Sequence, residues 1–225
     1  MKLERISSGI DGLDEMIGGG YPFPSVSLVA GSAGTGKTTF AMNFLIEGAK
    51  RGEQGLFVTT LSEPTQWMLK YASQFNFIQK EYFDSEIKYA DVGTLLQKKG
   101  YEKLLDIIDE KIAECMPQRI VIDPITVVGA FFEEDYRLFL FELVNILKNW
   151  QAVTILTGEV KPGEPYPPQI SYAVDSVILL SMLEEEGTRR KYLEVLKMRG
   201  TNHTSGKQPM AITTENGITV LKSRF

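Results

Sequence analysis

One stretch, Val29-Ala30-Gly31-Ser32-Ala33-Gly34-Thr35-Gly36-Lys37-Thr38-Thr39-Phe40, constrains this chain more than any other. The apolar run Val26–Ala30 reads as a strand, and Lys37–Arg51 reads as a helix. Between them the chain spends small residues and glycine. Glycines let successive backbone N–H groups turn inward around an anion, because positive φ costs them little. The N-terminus of the following helix adds oriented donors and a partial positive charge. Gly31 to Thr38 matches G-x-x-x-x-G-K-[ST] in full, in the strand-to-helix setting the motif needs. Lys37 is then a compact cation for β- and γ-phosphates, and the Thr38 hydroxyl can complete a magnesium shell. The expected binding set is Gly31, Ser32, Ala33, Gly34, Thr35, Gly36, Lys37, Thr38 and Thr39.

A second element supports the first. "RIVIDP" places Asp123 at the end of a hydrophobic strand. In a doubly wound sheet a carboxylate there, on a strand next to the first, sits near the phosphate loop and holds Mg²⁺ through water, so Thr38 and Asp123 are the expected metal residues.

Around these motifs, strand-like and amphipathic runs alternate. Val26–Ala30, Leu56–Thr60, Ile120–Asp123 and Ala152–Thr157 are short and apolar, as central strands buried on both faces are. Lys37–Arg51, Thr65–Phe75, Tyr101–Cys115 and Tyr136–Trp150 are the helical candidates. Such alternation predicts an α/β fold with a mostly parallel sheet flanked by helices. Ser176–Met182, Lys191–Met198 and Ile218–Lys222 predict an antiparallel extension at the C-terminal end. Asp123–Asp135 reads as an extended connection, and the Pro- and Gly-dense Gly158–Gln169 as an irregular loop. With 225 residues and no visible linker, residues 1–225 are expected to form one domain.

Composition narrows the function. Lys+Arg 24 against Asp+Glu 29 gives a net charge of −5, without the basic excess of a bulk nucleic-acid or membrane-surface binder. The single cysteine, Cys115, excludes an intramolecular disulfide, and the single histidine, His203, argues against a His-based metal site or triad. The N-terminal MKLERISSG lacks the apolar core of a secretion signal, and no apolar run approaches the roughly 20 residues of a membrane span. A cytoplasmic protein without membrane partners is expected.

Read in order, "ISSGIDGLDEMIGGG", "GSAGTGKTTFAMNFL", "VIDPIT", "KMRGTNH" and "GITVL" resemble the KaiC-like branch of the RecA/RadA superfamily of ATPases, in single-domain form, from Ile6 to Leu221. The resemblance implies a RecA-type P-loop NTPase core, ATP with Mg²⁺, and a homo-oligomer, a hexameric ring, with nucleotide at subunit interfaces. It also implies that Lys197, Met198, Arg199 and Thr201 reach across to the neighbour's ATP. Lys197 and Arg199 would contact the γ-phosphate in trans, with His203 close to the same nucleotide. Read without the resemblance, "KMRGTNH" is a solvated basic turn after a strand.

The match departs from the family at one catalytic position. Relatives carry a Glu-Glu pair after the second strand, one member of which positions or activates water. Here the stretch is Thr59-Thr60-Leu61-Ser62-Glu63-Pro64. Aligned from the downstream "QWMLKYASQF", Glu63 takes the second position and Ser62 the first; aligned from the strand, Leu61 and Ser62 do. Ser62-Glu63-Pro64 equally reads as a helix start, with acidic charge on its first turn. Relatives also carry an acidic residue where Ser171 stands, while Asp175 fits their pattern. Thr157 and Glu159 follow the fourth core strand, where the fold places polar residues that sense a γ-phosphate.

The catalytic set is therefore Lys37, Glu63, Lys197 and Arg199, and the expected protein is a slow, oligomeric ATPase acting as a nucleotide-dependent regulator or assembly protein on a protein client. A nucleotide-gated scaffold with negligible hydrolysis is the alternative. DNA handling as in RadA is weaker: Val127–Glu134 has no Lys or Arg, and Gly158–Gln169 has only Lys161 beside Glu159 and Glu164. Phe131, Phe132, Phe139 and Phe141 read as core or subunit-interface residues, because no basic residues interleave them.

Overall fold

The computed structural model describes residues 3–96, 100–161 and 163–221. Pro162 of the expected loop and Lys222 of the expected last strand lie outside the described residues. A short N-terminal ribbon, β1 (Arg5–Ile6) with β2 (Tyr21–Pro22), brackets the helical turn α1 (Leu13–Met16). Then come β3 (Ser25–Gly31), α2 (Lys37–Lys50), β4 (Gly55–Thr59), α3 (Thr65–Ala72), β5 (Ile87–Asp91), α4 (Gly93–Leu96), α5 (Tyr101–Cys115) and β6 (Arg119–Asp123). They are followed by α6 (Tyr136–Asn149), β7 (Val153–Glu159), α7 (Pro168–Ser171), β8 (Ser176–Glu185), β9 (Thr188–Met198), β10 (Gln208–Thr213) and β11 (Gly217–Val220).

Among the described residues the main sheet has nine strands in the order β11-β10-β9-β8-β3-β7-β6-β4-β5, so the strand of Asp123, β6, is not next to the first core strand as expected: β7 lies between β6 and β3. From β8 through β5 all pairings are parallel, and β9, β10 and β11 add antiparallel strands. This is the expected RecA-type architecture. Its layers follow from strand parity. Val29, Phe57, Val121 and Ile155 face α2, packing with Phe40, Phe44 and Leu45. Leu28, Leu56, Ile120 and Leu156 face the other way, onto Leu105 and Ile108 of α5 and Leu140 and Leu143 of α6. Each such side chain, fully withdrawn from water, contributes about 1.5–3 kcal/mol. The apolar periodicity therefore dictates the three layers. Phe75, Phe77 and Tyr82 pack with the α2-side cluster, and Phe132 and Phe139 with the other; Phe131 and Phe141 stay exposed.

Several expected boundaries move. The fourth core strand runs on to Glu159, so Thr157 and Glu159 lie within it rather than after it. This shortens the irregular loop, which also ends in the turn α7. The Asp123–Asp135 connection is not extended: Ile125–Ala130 forms a 3₁₀ turn that buries Ile125 and Val128. The helix expected over Thr65–Phe75 stops at Ala72. Glu184-Glu185-Glu186-Gly187 reads in the sequence as a solvated hairpin turn, but Glu184 and Glu185 continue β8, and only Glu186 and Gly187, with φ of 50° and 76°, make the turn. β5 and β10 had no counterpart in the sequence reading. β5 is an edge strand whose burial falls on Ile87 and Ala90, without clean alternation. β10 opens with Gln208-Pro209, which reads as a loop.

One buried ion pair pins the layers. Arg119, at the start of β6, is 1% exposed. Its Nε donates to Glu53 Oε2 at 2.5 Å, and its Nη1 donates to the carbonyls of Ser7 and Phe44, each at 2.8 Å. The guanidinium also lies over the Phe44 ring, 4.6 Å from its centroid. Removing one partner of a buried pair leaves a charge without compensation. Glu53 is itself partly exposed, so water softens the loss. Glu53→Ala is expected to destabilise the fold by about 2 kcal/mol, read as a lower urea midpoint at unchanged slope.

Candidate functional site

β3 ends at Gly31, where the chain turns through Ser32–Gly36 into α2. Two turn residues need positive φ: Gly34 at 77° and Gly36 at 109°. A Cβ on Gly36 would also stand 2.5 Å from Ile212 Cδ1 of β10, so the antiparallel extension packs directly under the turn. Thr35 is buried and its hydroxyl donates to the Ser32 carbonyl at 2.8 Å, holding the loop closed. Lys37 Nζ folds back along the loop, donating to the carbonyls of Gly31 at 2.8 Å and Ser32 at 2.9 Å. Burial lowers the Lys37 pKa, and the negative charges of Glu159 and then Asp123 oppose that shift.

Asp123 and Thr157 share the parity of Val121 and Ile155, so both point to the α2 side, where Thr38 waits. Thr38 Oγ1 donates to Asp123 Oδ2 at 2.8 Å, and Thr157 Oγ1 donates to Asp123 Oδ1. The two expected metal residues are thus in direct contact. Hydroxyl and carboxylate oxygens beside a lysine are hard donors of the kind Mg²⁺ takes, alongside phosphate oxygens and water. Glu159 pairs in register with Gly31 and follows Thr157 on the same face, which brings a carboxylate to the loop's entrance.

Glu63 stands apart from this group. Past β4, Ser62 adopts φ 55°, and a Cβ on Gly93 would lie 2.1 Å from Ser62 N. The Glu63 carbonyl accepts a 2.7 Å bond from Tyr89 Oη. Its charge acts on Tyr89, whose pKa is raised to about 12 by burial first and Glu63 second. The structure brings Lys37, Thr38 and Asp123 together but leaves Glu63 on the β5 side.

The basic segment lies elsewhere again. In β9, Leu193 and Val195 face the α2-side core, but so does Met198. The register slips between Val177 and Ile178, which pair with Lys197 and Val195, so Leu196 is an extra residue. This bulge turns Lys197 and Arg199 out of the core and onto one face. Lys197 Nζ donates to the carbonyls of Ser171 at 3.0 Å and Val174 at 2.7 Å, and Arg199 Nη1 lies 3.4 Å from Asp175 Oδ1. Burial lowers the Lys197 pKa, Arg199 lowers it further, and Asp175 opposes them. Thr201 accepts from Arg5 Nη2 at 2.8 Å, and His203 Nδ1 lies 3.2 Å from the Thr204 carbonyl. Arg199 N donates to the Asp175 carbonyl, and Asp175 N to that of Val26. Arg199 is therefore level with Val26, and the phosphate loop begins about 16 Å further along β3.

Two lysines escaped the sequence reading. Lys191 of β9 donates to the Gly34 carbonyl of the phosphate loop. Lys148, in the last turn of α6, pairs with Asp175 Oδ1 at 3.0 Å. Lys148 had only the signal of a basic residue at a helix C-terminus, which the helix dipole explains by itself.

Burial raises the Asp123 pKa above the ordinary carboxylate value, and the bonds from Thr157 and Thr38 and the Lys37 charge only partly reverse this. The folded state therefore holds the proton more tightly than the unfolded chain, so the ionised carboxylate costs stability at neutral pH. Without nucleotide, Asp123→Asn is expected to unfold at a higher temperature than the wild type at pH 7. The difference should close as pH falls below the ordinary carboxylate value. A lower midpoint for the variant at pH 7 would contradict the desolvation account.

A family model described as "ATPase: KaiC" matches residues 6–224. A UPF0273 protein of Methanopyrus kandleri is 32% identical, over 98% of this chain and 93% of its own length. The circadian clock oscillator protein KaiC of Parathermosynechococcus lividus is 32% identical over 97% of this chain, which spans only 42% of that protein. The crystal structure of a KaiC-like protein from the hyperthermophilic archaeon Pyrococcus horikoshii superposes with a TM-score of 0.88 at 33% identity, covering 98% of this chain and 100% of that one. Among the described residues no helix is long and apolar enough to cross a membrane. By sequence and fold alike, the chain belongs to the KaiC-type ATPase family.

Proposed function

We propose that this chain, acting as one domain, binds ATP-Mg in the Gly31–Thr39 loop and hydrolyses it slowly. It works as a homo-oligomer, a hexameric ring, whose nucleotide state regulates a protein client. The observation that carries the nucleotide reading is the contact of Thr38 with Asp123 beside Lys37. In this reading Lys37 leaves the loop carbonyls for the β- and γ-phosphates. Thr38 holds magnesium directly and Asp123 through water; the ion, once held, neutralises phosphate charge. Glu63 orients the attacking water. Its position against Tyr89, and the Ser62 where relatives have a second carboxylate, support slow turnover.

Lys197 and Arg199 serve the neighbour's γ-phosphate. Their support is the bulge that turns both out of the α2-side core, Arg199 into solvent and Lys197 onto the Ser171 and Val174 carbonyls, and their place at the far end of β3 from their own chain's loop. Three cations, Lys148, Lys197 and Arg199, gather there around one carboxylate, Asp175. The excess positive charge suits an anion brought by another subunit. Met198 is buried in the core, so its part is to fix the strand; Thr201 and His203 border the same segment.

Lys37→Ala is expected to lose nearly all ATP-Mg affinity in a calorimetric titration while keeping the wild-type circular dichroism. Binding within a few-fold of wild type would displace the pocket. In single-turnover assays Glu63→Gln should bind normally and hydrolyse several-fold more slowly. Equal rates would remove Glu63 and favour the scaffold reading, in which ATP only gates client binding.

A second experiment addresses assembly. Light scattering should show larger particles with ATP-Mg than with ADP, because the γ-phosphate adds charge-assisted contacts that ADP lacks. Specific activity should rise with protein concentration through the assembly range. Arg199→Ala should weaken both while sparing nucleotide affinity. A monomer with a concentration-independent specific rate would end the trans reading and leave the phosphate loop standing.

A further inference from the structure

We propose that Asp175 is the positioning residue of the trans-acting Arg199, holding the guanidinium pointed outward before a neighbour's nucleotide arrives. This rests on the trans reading above. Asp175 stands just before β8, and its side chain is 17% exposed. Oδ2 accepts from Val26 N at 3.1 Å, which fixes the carboxylate against the start of β3. Oδ1 faces two cations, Lys148 Nζ at 3.0 Å and Arg199 Nη1 at 3.4 Å. The main chain repeats the link, since Asp175 N donates to Val26 O at 2.8 Å and Arg199 N to Asp175 O at 3.0 Å.

The Arg199 contact contributes little to the fold. Its side chain is 60% exposed, the distance is long, and the accepting oxygen is shared with Lys148. Exposed pairs of that kind add little to stability. Its effect is directional. A free arginine side chain spreads over many rotamers, and that freedom is lost when it must bind. The carboxylate engages Nη1 alone and leaves the other donors for phosphate. Lys148 and Lys197 meanwhile keep the local charge positive, so Asp175 orients the cation without neutralising the surface. That surface is a shallow cavity of about 380 Å³ lined by Lys148, Asp175, Arg199, Gly200 and the prolines Pro22 and Pro24. Among the described residues no second carboxylate lines it. Orientation before encounter lowers the entropic cost of the productive contact.

Asp175→Asn is the test, because its amide oxygen can still accept from Val26 N while the charge is gone. Its ATP-Mg affinity should stay within about twofold of wild type, and its kcat should fall about tenfold. The decisive readout is subunit mixing before ATP is added. Lys37→Ala subunits have no working pocket but an intact Arg199. Mixed in excess with Asp175→Asn subunits, they should restore several-fold the activity per Asp175→Asn pocket. Arg199→Ala mixed with Lys37→Ala is the parallel arm. If that arm recovers and the Asp175→Asn arm does not, Asp175 acts on its own pocket and the proposal is overturned, while the trans reading stands. If neither arm recovers, the trans reading fails and takes the proposal with it. Should Asp175→Asn fail to fold, Asp175→Glu keeps the charge but displaces it by one methylene. The same complementation is then expected from a smaller deficit, and full activity in unmixed Asp175→Glu overturns the proposal.

Discussion

Strand β3 is hydrogen-bonded along both edges, to β7 and β8, and all of its residues are buried. Both charged ends of the molecule are anchored to it. Its C-terminal end opens into the phosphate loop, and the backbone at its start is gripped by Asp175. A strand so enclosed has no freedom to flex, because moving it breaks two ladders and vacates two cores. The loop glycines can therefore adopt positive φ without the whole turn wandering, and the cation cluster at the other end sits at a fixed distance from the loop. The rigidity that defines one site thus also sets its spacing from the other.

Three charges deep in the protein illustrate different solutions to one problem, the cost of taking an ion out of water. Arg119 is compensated by Glu53, two carbonyls and an aromatic face, and its role is structural. Lys37 is only half-withdrawn, and it donates to loop carbonyls while facing Glu159 and Asp123. Asp123 is more buried and takes two hydroxyl donors, yet burial still dominates its titration. Burial is the largest influence on Arg119 as well, and its Nη2 is buried without a hydrogen-bond partner, so the two charges differ in their surroundings rather than in how completely they are satisfied: Arg119 lies among structural groups, Asp123 beside the phosphate loop.

How much of this was legible in the sequence follows from the range of the interactions. The phosphate loop was readable because its chemistry lies within eight consecutive residues, Gly31 to Thr38. The core strands were readable because burial on both faces writes continuous apolar runs. β5 escaped, since an edge strand with Lys88 exposed and Tyr89 half-buried shows no such run. Helix α3 ended early because Phe75 and Phe77 pack as loop residues, so their hydrophobicity was real but not helical. The Asp175 hub was unreadable for another reason: Val26, Lys148, Asp175 and Arg199 meet only through the tertiary fold. The bulge left one local trace. The apolar pair Val195-Leu196 interrupts alternation, and it sits where the strand re-aims its side chains.

The separation of the two charged ends constrains how copies of the chain could associate. The phosphate loop and the Lys197–Arg199 segment belong to different surfaces, about 16 Å apart along one rigid strand. A twofold dimer uses the same patch on both partners. It would have to hold both the loop and the cations in one patch, each meeting the partner's other element across the axis. An interface that joins the loop of one subunit to the cations of the next without that reciprocal contact is heterologous, and it leaves a free loop at one end and free cations at the other. Repeating the contact either closes a ring or extends a filament. Closure satisfies every loop and every cation cluster, whereas a filament always leaves one of each unmatched. If Arg199 serves a neighbour through such a one-way contact, the ring is the assembly in which nucleotide can act at every interface, and the number of subunits is then set by the rotation that one such contact imposes.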